Sequence, residues 1–546
     1  MPFLPFLVFL AGLTLLISRR RRKTIQDRES PKVIVSGRTY SESVGDDPLS
    51  VRDEKIENVR NACIVGAGHV GALTGIILAS QNPHVQFHIV DGESRLIAAW
   101  NSDRLPVLEP GLDDLVFDNK RPDASTEPSR RNDSPAETNG SPEVQQRRVR
   151  KLRNITFSTD IHAGIVASDL IFLCLDPPLD GTSDDAPGLD LSNLQAAVRT
   201  IAQVSTGHKI IVHRGTGPYG IVQRIKKILR KTASPSASFD VLSNPEFLVP
   251  GTAVQNLLYP RRLIIGHIFS EDMSPAALTA LKRLYAWVPD DRIITMDAWS
   301  SELGKIAAAA VLAQKMSNMQ SMSVICESTN ANITHVARIV GSNPLTRLET
   351  SGSSIQRDVG CLVYLARELG LPEVAEYWTA VLKMNNYQIR RIAQSILDKL
   401  PVETEQRDVA VLGFASKWNT IEVRNTTAVH LIRHLTRNGV KVTIYDPHVP
   451  KDQIERALGL VSGHLDAVTV VENLDSACAG CSALVLHTAW EQFAEDRVDW
   501  KVAAKQMEPP KVVFDLPGMF DQERMEKLGL QVVRLDVDVR PKGADA

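Results

Sequence analysis

Ala62-Cys63-Ile64-Val65-Gly66-Ala67-Gly68-His69-Val70-Gly71 opens the first long apolar block of the chain. A small-residue helical pattern then runs to about Gln81, followed by Phe87-His88-Ile89-Val90-Asp91. The order is strand, glycine turn, helix, strand. A dinucleotide requires this layout: the first glycine permits the tight turn, the second lets the backbone approach the pyrophosphate, and the third lets helix and strand pack closely. The helix N-terminus then turns its free N–H groups toward the phosphates. Asp91 follows Gly71 by 20 residues and closes the second strand. A carboxylate there accepts the ribose hydroxyls and repels a 2′-phosphate, which favours NAD over NADP. Gly66, Gly68, His69, Val70, Gly71, Asp91 and Arg95 are the candidate cofactor contacts. A merely structural glycine turn is the competing reading. His69 reads first as a loop filler and second as an anion contact.

Outward from this unit, Pro2 to Ile17 is almost wholly apolar and is followed at once by Arg19, Arg20, Arg21, Arg22 and Lys23. A secretory signal carries its charge before the apolar run, whereas here it comes after. A membrane anchor over residues 2–18 is expected, with the body on the cytosolic side and the endoplasmic reticulum as the membrane. The run spans roughly 24 Å against a core of about 30 Å, so a cytosolic protein with an inconsequential leader is the alternative. A polar linker follows to residue 57. Residues 119–146, rich in Pro, Ser, Asn and Arg, cannot bury a core and are expected to form a disordered surface insertion. The basic run Arg147, Arg148, Arg150, Lys151 and Arg153 reads as a solvated face, with a membrane-surface or localisation role as the lesser alternative.

Short apolar runs at Ile155-Thr156-Phe157, Leu170–Leu175 and Lys209–His213 alternate with helical patterns and extend a parallel sheet, and a further strand is expected at Arg262–Gly266. Trp299-Ser300-Ser301-Glu302 starts a helix reaching about Cys326 that is too long and too apolar for a surface helix. A second helical pattern runs from about Val374 to Leu400. Asp408-Val409-Ala410-Val411-Leu412-Gly413-Phe414 then repeats the strand-turn logic, with Val442–Asp446, Leu484–Leu486 and Val512–Asp515 as later strands. The expected fold is α/β: two Rossmann-like doubly wound domains joined by a long central helix and a helical dimerisation region. The divisions fall at 1–57 for anchor and linker, 58–296 for the cofactor domain, 297–400 for the helical region and 405–540 for the second Rossmann-like domain.

Lys and Arg total 62 against 64 acidic residues, so no field of one sign points to nucleic acid. Six cysteines in so long a chain, mostly inside apolar patterns, speak against a disulfide framework. Cys478 and Cys481 form a CxxC in a helix-to-strand turn. Without a second such pair it is not a metal site, and no metal is expected.

Beyond the glycine loop, Trp100-Asn101, Glu109-Pro110-Gly111, Asn244-Pro245-Glu246-Phe247-Leu248, Gly251-Thr252-Ala253, Trp299-Ser300-Ser301-Glu302-Leu303, Leu371-Pro372-Glu373-Val374 and Tyr445-Asp446-Pro447 follow in order. Together they resemble the UDP-glucose 6-dehydrogenases, over roughly Asn58 to Leu535. The resemblance implies NAD⁺-dependent oxidation of a UDP-sugar at C6, twice, to the uronic acid. It implies NAD on the first domain, the uridine diphosphate on the last, and a dimer made by the central helix. It places the base at Asp358, the oxyanion-stabilising lysine at Lys305, the glutamate that activates the hydrolytic water at Glu246, and a nearby threonine, also a cofactor contact, at Thr216. Glu246, Phe247, Leu248, Lys305 and Arg424 are the implied substrate contacts. On residue type alone, Lys305 and Asp358 also read as a surface lysine and a helix-start carboxylate, and Glu246 as a turn residue.

The chain departs from the family's pattern at the nucleophile. The family's GGSCFQKD is here Ser351-Gly352-Ser353-Ser354-Ile355-Gln356-Arg357-Asp358, which puts Ser354 where a cysteine captures the aldehyde. Cys361 lies seven residues further on, about 10 Å along a helix. Ala309 replaces an asparagine one turn after the lysine, Gly518 replaces a clamp arginine, and the segment 341–350 is shortened. Two readings follow: an NAD-dependent sugar-nucleotide dehydrogenase, slowed or stopping at the aldehyde, or a membrane-tethered NAD-binding paralogue that regulates or scaffolds an active relative in a shared oligomer.

Overall fold

Period-two alternation in the strands decides the packing of the first domain. In a computed structural model, which describes residues 58–118, 148–177, 189–268, 275–329, 331–341, 353–401, 407–423, 426–459 and 467–534, Ile64, Phe172 and Val212 face one apolar layer. Their neighbours Cys63, Ile171 and Ile211 face the other. A sheet buried on both faces needs such continuous apolar strands and helices on each side. The strands are β1 (Asn61–Val65), β2 (Gln86–Val90), β3 (Ile155–Ser158), β4 (Leu170–Leu173), β5 (Gly207–His213), β6 (Ala237–Ser243), β7 (Leu263–His267) and β8 (Ile293–Asp297). Their order is β3-β2-β1-β4-β5-β6-β7-β8.

The first six strands run parallel in the doubly wound order expected of a dinucleotide fold. The strands expected to be parallel are so, and one later pairing departs from that plan: β7 pairs antiparallel to β6 through Leu242–His267 and Ser243–Gly266. The chain returns across the sheet edge there, and β8 then runs parallel to β7.

The second domain repeats the plan. Strands β9 (Asp408–Leu412), β10 (Lys441–Tyr445), β11 (Val468–Val470), β12 (Ala483–Leu486), β13 (Val512–Asp515) and β14 (Gln531–Val533) lie in the order β11-β10-β9-β12-β13-β14. Both sheets therefore place their third strand outermost on one side and cross over after it.

The helix Ala298–Thr329 joins the two halves and packs with Ser353–Glu368 and Pro372–Leu397 in a helical layer. Its start is pinned to the first sheet. Asp297 Oδ1 accepts the Ser300 N–H at 2.8 Å, and the Ser301 and Ser243 hydroxyls lie 3.0 Å apart. A Cβ on Gly266 would stand 2.4 Å from Ser301 Cβ, so only glycine lets the helix approach that strand.

Part of the basic run folds back onto the protein, while Lys151 and Arg153 stay exposed as expected and Arg147 lies outside the described residues. Arg148 bonds Asp113 at 3.0 Å and lies 3.9 Å over the Phe117 ring. Arg150 donates to the carbonyls of Trp100 and Ser102, and Lys151 to that of Asp114 at 2.7 Å. These side chains close the sheet edge by satisfying carbonyls at helix ends. Cys478 and Cys481 are both buried, and burial pushes each thiol up to about 12, so the CxxC belongs to the core. The expected anchor at 2–18, the linker and the insertion 119–146 lie outside the described residues. Among the described residues no helix is long and apolar enough to cross a membrane.

Candidate active site

Both large functional loops of the first domain sit at the carboxyl ends of strands, where open parallel sheets bind ligands. The glycine loop leaves β1 with Gly66 at φ +106°. A Cβ on Gly66 would stand 2.5 Å from the Cys174 carbonyl oxygen, and one on Gly71 would stand 1.9 Å from the Gly66 oxygen. The protein itself thus requires these two glycines. Gly68 is different: a Cβ there would meet nothing within 4 Å. Its bareness is explained by a ligand that comes close to the backbone, as a pyrophosphate would. Gly68, His69 and Val70 line a cleft of about 830 Å³. Asp91 is held by the N–H groups of Ala67 at 2.8 Å and Glu93 at 2.9 Å, which fixes its carboxylate beside the loop. The group fits a dinucleotide. Arg95 is exposed on the helix Ser94–Asn101 and is not part of the cleft wall.

The second glycine turn is closed. Gly413 takes φ +84°, and a Cβ there would stand 2.5 Å from Thr488 Cβ. Asp446, the counterpart of Asp91, accepts from Phe414 N at 2.6 Å, Ala415 N at 3.1 Å and Trp490 Nε1 at 3.0 Å. It also accepts from the N–H groups of His448 and Val449, each at 2.9 Å. Five donors on one carboxylate make it a structural node.

The candidate residues from three parts of the chain meet in space. Lys305, two turns into the central helix, lies with Nζ 3.3 Å from Glu246 Oε1 and 3.8 Å from Asp358 Oδ2. Its ammonium also stands 5.4 Å from the Phe247 ring centroid, under which Arg262 packs at 4.4 Å. Leu248 donates its N–H to Glu246 Oε2 at 2.6 Å, so Glu246 holds the turn as well as the lysine. Asp358 is fully buried, and neither of its oxygens has a hydrogen-bond partner. Burial pushes its acid up to about 6 against the pull of Lys305 and Arg357. For Glu246 burial also pushes upward, but Lys305, the Leu248 N–H and Arg214 outweigh it and hold the acid below its ordinary value. Burial disfavours the Lys305 charge, yet Glu246 and Asp358 prevail and raise its pKa. One carboxylate is thus fixed as an anion while the other is poised to take a proton, the division an acid–base centre needs.

Arg357 was not anticipated. Its guanidinium donates to Thr216 Oγ1 at 3.3 Å and stands 3.8 Å from Asp176 Oδ1 at the end of β4. It clamps the helical layer onto the cofactor sheet. Asp176 lies where the doubly wound order reverses, and that rule could have found it. Glu109 is also a node: it takes the N–H groups of Gly251 at 2.7 Å and Ala253 at 3.0 Å and lies 2.8 Å from His69 Nε2. His69 is therefore braced rather than a simple filler.

Residue 354 lies in the first turn of the helix Ser353–Glu368, four residues before Asp358. Its side chain, and Arg424 with the segment 342–350, lie outside the described residues. Cys361 does not take its place. It is buried, and burial pushes its thiol up to about 12, which keeps it neutral rather than a thiolate.

The opposite wall of the cleft comes from the second domain, with Thr420, His430, Arg433 and Arg456 among its residues. A cleft with a glycine loop on one wall and cations on the other accommodates two phosphate-bearing ligands facing each other.

Comparison with known proteins gives three consecutive matches to the UDP-glucose/GDP-mannose dehydrogenase family. They are its NAD binding domain over 60–134 and 130–288, its central domain over 299–387 and its UDP binding domain over 410–522. The UDP-glucose 6-dehydrogenase of Caenorhabditis elegans is 36% identical over 500 residues, 88% of this chain and 95% of that protein. That of Gallus gallus is 35% identical over 505 residues, covering 89% and 94%. A solved UDP-glucose dehydrogenase from Pyrobaculum islandicum shares the fold with a TM-score of 0.67 at 21% identity, covering 88% of this chain and 99% of that one.

Proposed function

The chain belongs to the UDP-glucose/GDP-mannose dehydrogenase family, and from this we propose that it oxidises C6 of UDP-glucose with NAD⁺, the first oxidation outrunning the second. The observation that carries the reading is the ammonium of Lys305 between the carboxylates of Glu246 and Asp358. Bound NAD⁺ supplies the acceptor for the C6 hydride. Asp358, directly or through a water, takes the hydroxyl proton as the C6 aldehyde forms. Lys305 stabilises the negative charge that develops on the oxygen. Arg357 holds Asp358's helix to Thr216 and Asp176, so the base keeps its distance from the cofactor sheet.

The second oxidation starts from an aldehyde that must gain an oxygen. A cysteine thiolate does this by covalent capture, whereas a serine hydroxyl at residue 354 stays protonated without a base. The remaining route adds water to the aldehyde before a second hydride leaves; the family resemblance assigns activation of that water to Glu246, whose oxygens are engaged by Lys305 and the Leu248 N–H and would have to be released first. Loss of a covalent nucleophile slows such steps by up to ~10⁶-fold.

Exposed apolar residues on the helical layer, among them Val311, Leu312, Ile325, Tyr364 and Tyr377, support assembly with a second copy or a relative through that layer. Counting NADH per UDP-glucose tests the reading. One NADH and an aldehyde product supports it, and two means the serine is no obstacle. No NADH with intact NAD binding favours the non-catalytic partner of an active relative.

A further inference from the structure

The helix Ile221–Thr232 follows β5 and begins with a cap it does not make for itself. Its N-cap residue is Gly220, in the left-handed region at φ +84°, with no side-chain cap and no acidic residue in the first turn. The first N–H groups of a helix lack internal partners, and a buried helix start needs acceptors from elsewhere. Glu302 of the central helix provides them. Its Oε2 accepts the Gly220 N–H at 2.6 Å and its Oε1 the Val222 N–H at 2.9 Å. The residue is buried, and Tyr219 and Trp299 cover the joint with ring centroids 5.1 Å apart. Burial lifts the Glu302 acid to about 7 against the pull of the N–H groups of Val222, Gly220 and Ile221.

The placement links two parts of the site. Glu302 precedes Lys305 by one helical turn, so both ride on the same pinned segment of the central helix. The loop it caps, residues 214–220, carries Thr216, the hydroxyl that receives Arg357. Glu302 is therefore a strut from the segment that carries the charged lysine to the loop at the end of β5.

We propose that Glu302 is a positioning residue for hydride transfer: it fixes the 214–220 loop against the Lys305 segment and so sets where the nicotinamide lies relative to the reacting carbon. The proposal rests on the NAD-dependent reading of the site. Glutamine is nearly isosteric but offers a single acceptor oxygen and turns an NH₂ toward a backbone donor.

The test compares wild type, Glu302→Gln and Glu302→Asp by NADH binding, by KM for each substrate and by kcat. Glu302→Gln is expected to bind NADH on the order of tenfold more weakly, by the loss of one acceptor oxygen and the placement of an amide NH₂ against a backbone N–H. It is expected to lose kcat with KM for UDP-glucose unchanged, and Glu302→Asp, which keeps both acceptors, to recover part of the loss. NADH affinity and kcat within twofold of wild type in Glu302→Gln would overturn the proposal. So would equal weakening of NADH and UDP binding, since that marks a general support of the fold. If wild type binds NADH but does not turn over, the reaction assigned above fails while NADH affinity of the variants still decides the role of Glu302. Should Glu302→Gln not fold, Glu302→Asp carries the comparison by the same two criteria.

Discussion

Asp358 is where stability and activity oppose each other. Its acid is raised to about 6 in the folded protein, above the ordinary carboxyl value near 4. A raised pKa means that folding favours the proton: the associated stability is complete below about pH 4 and is lost as pH rises through about 6. The activity runs the other way, because the base must be free. The rate of NADH formation is expected to fall as pH drops through about 6, read from a kcat/KM profile. Asp358→Asn should abolish turnover yet leave the melting temperature unchanged or higher, since it removes a buried charge with no hydrogen-bond partner. Lys305→Met is expected to lose on the order of 10²–10³ in kcat, and it also strips Glu246 of its counter-charge, so its melting temperature should drop. Ser354→Cys is expected to move the product ratio from one NADH per sugar toward two. Lys305, Glu246, Asp358 and Thr216 were legible in the sequence through the family resemblance and not through residue type, and the structure brings the first three together. Arg357, Asp176 and Glu302 were not, because each acts through a partner 80 to 181 residues away.

At the scale of elements, two turns with the same strand-glycine start serve different ends. The first keeps Gly68 bare toward the cleft, while the second spends its aspartate on five internal donors. A paired substitution separates fold from ligand. Gly71→Ala puts a Cβ 1.9 Å from a backbone oxygen and should yield little folded protein. Gly68→Ala meets nothing within 4 Å, so it should fold and melt as wild type but lose most NADH affinity, measured by titration. The doubly wound halves were readable because continuous apolar strands alternate with helical periods. The antiparallel β7 and the folding back of Arg148, Arg150 and Lys151 were not. Strand direction leaves no trace in hydropathy, and a basic run looks the same whether its side chains meet water or helix-end carbonyls.

In the whole molecule a loop of the first domain meets a loop of the second at a small joint beside the cleft. Asn419, from the second domain, donates to the Gly251 carbonyl at 2.7 Å, and Gly251, at φ +86°, has no room for a Cβ, which would stand 1.9 Å from Asn419 Oδ1. Gly251→Ala is expected to open the joint and raise KM for the UDP-sugar more than for NAD⁺, read from initial rates. Domain order was predictable from the sequence, but this joint was not, since it forms between residues 168 apart. The same Gly251 leans through its N–H on Glu109, which also braces His69 in the glycine loop. Through this chain of contacts a diphosphate held on the far wall is expected to tighten retention of the dinucleotide, and the dinucleotide to tighten retention of the diphosphate by the same factor.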